Sequence, residues 1–213
     1  MEPTIYKPSI YKGAGIYNIG AGGGGIVDTG EKIGDRFYKT IEIDGKIWLA
    51  ENLDFNFAPS PANKVQSTPG CWYYNNNQNE YGWNGKKWGL IYNGYAARFL
   101  EQNKSNLCPG WHVPTMTEWN SLFNFLNVSL AGKKLKSKPP EWNGTDDYNF
   151  TLFAGGYIYD NYFVSKGDLI RLWTSTSYGG SYDYGVVVST NSDSANIQNH
   201  LLSQGNYIRL IKD

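Results

Sequence analysis

The sequence is poor in the residues from which reactive sites are usually built. It has two cysteines, Cys71 and Cys108, and two histidines, His112 and His200, in 213 residues. That excludes a disulfide scaffold, and no Cys or His has a partner at metal-ligand spacing. Charge is also scarce: 18% of residues are charged, and nineteen Lys+Arg balance nineteen Asp+Glu. Without a basic field, neither nucleic acid nor an anionic membrane is expected as a partner on charge alone. Long apolar runs are missing too. No stretch approaches the roughly 20 residues of a membrane helix, so no membrane insertion is expected. The opening MEPTIYKPSIYK lacks the apolar segment of a secretory signal. The expectation is therefore a chain made in the cytoplasm, with both cysteines reduced.

What is abundant is aromatic and adaptable: 17 Tyr, 8 Trp and 25 Gly, with Asn and Ser throughout. Tyrosine offers rigid amphipathic contact area at low entropic cost, while Asn, Ser and Gly supply adaptable hydrogen bonding. This mixture suits a recognition surface.

Residues 1–34 differ from the rest. TIYKP, SIYKG and GIYNIG form a degenerate repeat that runs into GAGGGGIVDTG. The glycine run has neither the preceding strand nor the following helix and Lys-Ser/Thr of a phosphate loop. The segment reads as an extended arm for oligomerisation or attachment. Its Ile5, Tyr6, Ile10, Tyr11, Ile16 and Tyr17 find too little apolar company within the arm and are expected to be buried against copies of themselves.

From about residue 35 the pattern is that of a single α+β domain, loop-rich, with few helices and short antiparallel strands. Asp44-Gly45 between two alternating runs is a hairpin signal. YNGYAARFL (92–100) suggests a short helix. Gly132–Pro140, GKKLKSKPP, reads as a solvated basic loop, and Asp146-Asp147 as a turn. After Phe150 short strands and turns dominate: FTLFAGGYIY, LIRLWTSTSY, YGVVVST and NYIRLIKD.

LCPGWHVPTMTEWNSL (107–122) places Cys108, His112 and Glu118 close together, but Thr115 and Glu118 form a capping box, S/T-x-x-E, ahead of Trp119, Leu122, Phe123 and Leu126 at helical spacing. Glu118 is thereby engaged at a helix start. His112 lies in the lead-in as a hydrogen-bonded structural residue, and the stretch is architecture rather than a metal or catalytic site.

GKIWLAENL (45–53), LCPGWHVPTMTEW (107–119), GKKLKS (132–137), RLWTSTSY (171–178) and YIRLIKD (207–213), in this order, resemble the Fibrobacter succinogenes major paralogous domain over roughly residues 35–213. The resemblance implies a C-type lectin-like fold of the formylglycine-generating-enzyme type, whose signature G-x-R-L-P-T-x-x-E-W is similar to Gly110–Trp119. The enzymes' cysteine pair near the C-terminus has no counterpart, and Leu210 stands where many paralogues read Arg-Cys. No catalytic residue is therefore expected. The sugar-binding motifs of calcium-dependent lectins are absent as well, so neither metal nor cofactor is expected.

The same fold carries the variable proteins of diversity-generating retroelements, including phage tail-fibre tips. The resemblance places their variable region at about 173–206, and Ser177–Asn206 is rich in residues that mutated Asn codons produce. Gly179, Gly180, Ser181, Tyr182, Asp183 and Tyr184 are expected in a loop. With Trp173, Val186, Val188 and Ile197 inward, alternation puts Gly185, Val187, Ser189, Asn196, Gln198 and His200 outward, with Asn199 beside them. These thirteen residues form the expected ligand-binding surface. The implied function is a phage receptor-binding protein, the tip of a tail fibre. It would sit in the virion, bind a host-cell surface receptor of protein or glycan nature, join other fibre components through its arm and assemble as a homotrimer. The alternatives are a bacterial cell-surface adhesin or structural domain of the same family, and an enzyme of the formylglycine-generating type.

Overall fold

The computed structural model describes residues 30–77 and 88–213. Most of the proposed arm, residues 1–29, lies outside the described residues. The fold is mixed, mostly strands in open sheets with four helices among the described residues.

The chain enters through β1 (Glu31–Ile33), paired antiparallel with β2 (Arg36–Tyr38). Ile33 is buried and Glu31 accepts an ion pair from Lys212, so the domain begins some residues before the expected boundary at 34/35. β3 (Thr40–Ile43) and β4 (Lys46–Leu49) form the hairpin expected from Asp44-Gly45. Both turn residues take positive φ, 52° and 68°, as a two-residue turn matched to strand twist requires.

β5 (Cys71–Trp72) pairs with β6 (Ile91–Asn93), which runs directly into α1 (Gly94–Gln102). The helix thus starts two residues later than its expected span. Asn93 ends the strand because its Oδ1 caps the helix, accepting from the Ala96 N–H at 2.9 Å. α2 (Lys104–Leu107) and β7 (Trp111–His112) follow.

α3 (Met116–Leu126) begins with the expected capping box. Thr115 Oγ1 accepts from the Glu118 N–H at 3.1 Å, and Glu118 Oε2 accepts from the Thr115 N–H at 2.7 Å. Its Trp119, Leu122, Phe123 and Leu126 are buried, each worth about 1.5–3 kcal/mol in area removed from water. Trp119 packs on Trp48 of β4 at 5.0 Å between ring centroids, with Phe150 edge-on to both.

The stretch expected as a solvated basic loop is instead structured. It forms α4 (Ala131–Leu135), and the following Lys136 is buried. Its Nζ donates to the carbonyls of Ser189 and Ser192 and lies 5.5 Å from the Trp142 ring. A lysine can be buried when its ammonium finds acceptors and an aromatic face, which composition alone does not reveal. Asp146 does sit in a turn, accepting from the Thr151 N–H and hydroxyl.

The remaining strands are β8 (Gly155–Tyr159), β9 (Tyr162–Lys166), β10 (Leu169–Gly179), β11 (Tyr182–Ser189), β12 (Ala195–Leu201), β13 (Gly205–Asn206) and β14 (Ile211–Lys212). The eight-stranded sheet has the order β12-β11-β10-β8-β13-β6-β5, with β9 pairing on β8. A four-stranded sheet, β3-β4-β14-β7, inserts the last strand between the N-terminal hairpin and the lead-in to α3.

Near this junction Arg209 is fully buried, donating to Asn52 Oδ1 and to the carbonyls of Leu49 and Phe150. Burial lowers its pKa to about 9, and the charges of Glu51 and Asp146 offset only part of the lost hydration. One side chain so ties three distant segments together.

Candidate binding surface

The long hairpin of β10 and β11, flanked by β12, carries all thirteen residues expected in the surface. Its turn is tighter than the expected loop: Gly179 pairs with Tyr182, leaving only Gly180-Ser181 between the strands. Gly179 and Gly180 have φ of 120° and 57°, which permits the reversal. Tyr182, Asp183 and Tyr184 therefore belong to β11, and strand alternation governs where they point.

That alternation divides the expected set between two faces of the sheet. Tyr182 and Tyr184 share one face with Val186 and Val188, and their cross-strand partners are Leu201, Asn199, Ile197 and Ala195. Val186 and Val188 are buried in the core, and Ile197 packs half-buried against it. Towards the hairpin end the same face opens. There Tyr178, 55% exposed, and Tyr182, 39% exposed, meet the half-buried Tyr184 edge-on. Tyr178 lies 6.3 Å from Tyr182 and 5.3 Å from Tyr184 between centroids, with Asn199 exposed beside them.

The other face carries Asp183, Gly185 and Val187, paired with His200, Gln198 and Asn196. Three of these are not at the surface, and the expectation fails for each for a specific reason. Asp183 is buried because Arg98 of α1 clamps it with two hydrogen bonds, Nε to Oδ2 at 2.8 Å and Nη2 to Oδ1 at 2.7 Å. His200, opposite it, is 3% exposed and stands edge-on to the Trp173 ring, 6.0 Å between centroids. Gly185 lies beneath that imidazole: a Cβ there would sit 2.6 Å from His200 Cδ2 and 2.8 Å from the Leu172 carbonyl. Alternation does put these residues on one face, but that face also carries the buried Trp173, the cross-strand partner of Gly185, and is reached by Arg98 of α1, which a strand pattern does not show. Val187 and Ser189 are half-buried, while Ser181, Asn196 and Gln198 are exposed.

Burial, and then the nearby Arg171 guanidinium, lower the His200 pKa to about 3. The ring is neutral at physiological pH. Beside the hairpin end, an open cleft of about 420 Å³ separates α1 from β10, lined in part by Arg98, Glu101, Gln102, Ser175 and Ser177.

The strand β10 is irregular where it meets α3, with register shifts between Trp173 and Ser177. Ser175 N–H donates to the Pro114 carbonyl, and Thr176 Oγ1 accepts from the Met116 N–H. The TSTS run thus joins the hairpin to the start of α3, so the surface rests on both helical and sheet supports.

Compared with protein-family models, residues 41–212 match the one described as the Fibrobacter succinogenes major domain. The chain belongs to this family. No curated protein and no solved structure matches it.

In this Fibrobacter major domain the Cys108–Glu118 stretch is a hub of hydrogen bonds. His112 contacts Asp213 Oδ1 through Nδ1 at 2.7 Å and Glu118 through Nε2 at 3.0 and 3.2 Å. Burial pushes the Glu118 carboxyl up, but the Thr115 N–H and hydroxyl and the His112 ring outweigh it and hold the group below its usual range. Cys71 and Cys108 are buried free thiols, raised by burial to about 11 and about 12, so neither is a reactive thiolate at neutral pH. Among the described residues no cluster of three metal-ligating side chains occurs, and no helix is long and apolar enough to cross a membrane.

Two residues of the surface escaped the sequence reading. Arg98 precedes the expected interval by some eighty residues, and Arg171 stands just before Trp173. The only signal for either was a lone arginine in a chain with little charge.

Proposed function

We propose that this Fibrobacter major domain is a receptor-binding module of C-type lectin-like fold, displayed at the tip of a phage tail fibre for attachment to the host cell. The observation that carries the reading is the exposed tyrosine cluster Tyr178–Tyr182–Tyr184, held on paired strands and backed by the clamp of Arg98 on the buried Asp183. Exposed aromatics normally cost solubility, and a rigid, edge-on group of them is a typical binding hot spot. The side chains of Ser181 and Asn199 beside it, and of Asn196 and Gln198 on the opposite face of the hairpin sheet, tolerate replacement because they are exposed, as a retroelement-diversified surface requires. The insertion of β14 between β4 and β7, which joins the two ends of the domain, supports a lectin-like arrangement. Catalysis has no part in this reading.

Membership of the family favours a second reading, a bacterial surface adhesin using the same cluster. Attachment of the labelled chain to candidate host cells tests both. Replacing Tyr178, Tyr182 and Tyr184 together by Ser should abolish attachment while the far-ultraviolet spectrum is retained; attachment that survives refutes the assignment of this surface. A reverse-transcriptase gene and an imperfect repeat of codons 170–213 in the neighbouring DNA would separate the phage reading from the adhesin.

A further inference from the structure

The second face of the hairpin sheet holds a guanidinium that no carboxylate among the described residues neutralises. Arg171, on β10, is half-buried, and its Cζ lies 3.6 Å from the centroid of the Tyr157 ring on β8. Nη1 lies 3.3 Å from His200 Nδ1 and donates to Gln204 Oε1 at 3.3 Å. Nε is buried without a partner, and Nη2 makes no hydrogen bond among the described residues. The other arginines of the described residues differ. Arg36 pairs with Glu51 and Asp54, Arg98 with Asp183, and Arg209 is surrounded by amide and carbonyl oxygens.

A cation drawn partly out of water without an anion carries an unoffset desolvation cost, and burial indeed lowers the Arg171 pKa. Its neighbours orient it without neutralising it. Tyr157 fixes the plane, Gln204 holds one nitrogen, and the neutral His200 offers an acceptor. The Nη2 edge is left free for a planar anion, which a guanidinium fork binds in preference to a point charge.

What surrounds this edge narrows the ligand. Val187 is the cross-strand partner of Arg171, and Asn196 of Val187. Asn196 and Gln198 are exposed, and Tyr159, 52% exposed, follows Tyr157 on the same face of β8. Amides match hydroxyl groups and phenol rings match the C–H face of a pyranose, whereas a hydrophobic peptide side chain would need an apolar pocket. A single guanidinium balances one negative charge, which suits a carboxylate better than a phosphate dianion.

We propose that Arg171 anchors a site for a carboxylated sugar, such as a uronic or sialic acid residue, with Asn196, Gln198 and the Tyr157–Tyr159 face as its flanks. This rests on the recognition reading above and gives its ligand a chemistry.

The full chain is titrated with methyl glucuronide and N-acetylneuraminic acid, with methyl glucoside as the uncharged control and an acetylated glutamate amide as the peptide control. Binding of at least one carboxylated sugar is expected, tenfold or more tighter than methyl glucoside and than the glutamate amide. Arg171→Gln should weaken it at least tenfold and Asn196→Ala severalfold. Asn196 is exposed and has no side-chain hydrogen bond among the described residues, so its variant decides the matter if Arg171→Gln does not fold. Overturning results are no binding of either acidic sugar by the folded chain, unchanged binding by both variants, or equal binding of the glutamate amide, which would indicate a protein partner. Loss of cell attachment in the triple Tyr variant, with no binding of acidic sugar, would leave the recognition reading standing and remove this site. Acidic sugar binding that depends on Arg171, with attachment unaffected by the Tyr changes, would do the reverse.

Discussion

The buried His200 makes stability depend on pH in a calculable way. Burial and the adjacent Arg171 lower its pKa from 6.5 to about 3 in the folded protein. Between these values the unfolded chain holds a proton that the folded chain does not, so stability rises with pH through this window and is complete above about 6.5. Lowering the pH from 8 to 5 crosses roughly 1.5 units of it, which at about 1.4 kcal/mol per unit removes about 2 kcal/mol. For a domain of this size that is a fall in Tm of about 4–8 °C. Carboxylates also titrate near the lower end, so the useful quantity is the difference between wild type and His200→Asn, which keeps an acceptor near the Nδ1 position but cannot be protonated. Urea denaturation of both proteins at pH 8, 6.5 and 5 should show the wild type losing about 2 kcal/mol more than the variant. Parallel losses would mean that His200 is protonated in the folded state, and that the packing of Trp173, Arg171 and Gly185 around a neutral ring is misjudged.

Thr115→Ala and Glu118→Ala should each cost about 0.5–2 kcal/mol through lost cap hydrogen bonds, with metal content by mass spectrometry unchanged. Because Glu118 is held below its ordinary value, its contribution is complete above about pH 4.3 and is lost as pH falls through the lowered pKa, so the Glu118→Gln variant should have a flatter acid limb in thermal melts. Gly185→Ala, although in the middle of the expected variable region, should destabilise by about 1–3 kcal/mol in chemical denaturation, since its Cβ meets backbone as well as the His200 ring. The Ile-Tyr arm should make the full chain trimeric by light scattering and leave a monomer when the chain begins at Gly30; a monomeric full chain refutes the assembly role.

The readable parts of this protein were those in which local chemistry dictates local shape. Asp44-Gly45 demanded a tight hairpin, and Thr115 with Glu118 demanded a helix start; both depend on residues within a few positions of each other. Val186 and Val188 were legible for the same reason, since strand alternation is local. His200, Asp183 and Gly185 were misplaced because their burial depends on tertiary contacts: Arg98 for Asp183, Trp173 for His200, and His200 with the Leu172 carbonyl for Gly185. Lys136 was misread in the same way: its acceptors, the carbonyls of Ser189 and Ser192, are more than fifty residues away. The candidate surface was thus legible as a region, while the division into two faces and the role of Arg171 needed the tertiary structure.

The order of β10, β11, β12 and β14 along the chain has a consequence for any process that randomises the hairpin. A stop codon or frameshift between Trp173 and Asn206 also removes Arg209 and Ile211, leaving β4 and β7 without the strand that joins them and the carbonyls of Leu49 and Phe150 without their donor. Such products should fail to close, and an unfolded chain is open to proteolysis. Folding itself would therefore proofread the reading frame, since only chains translated through the whole hairpin and on to β14 can close.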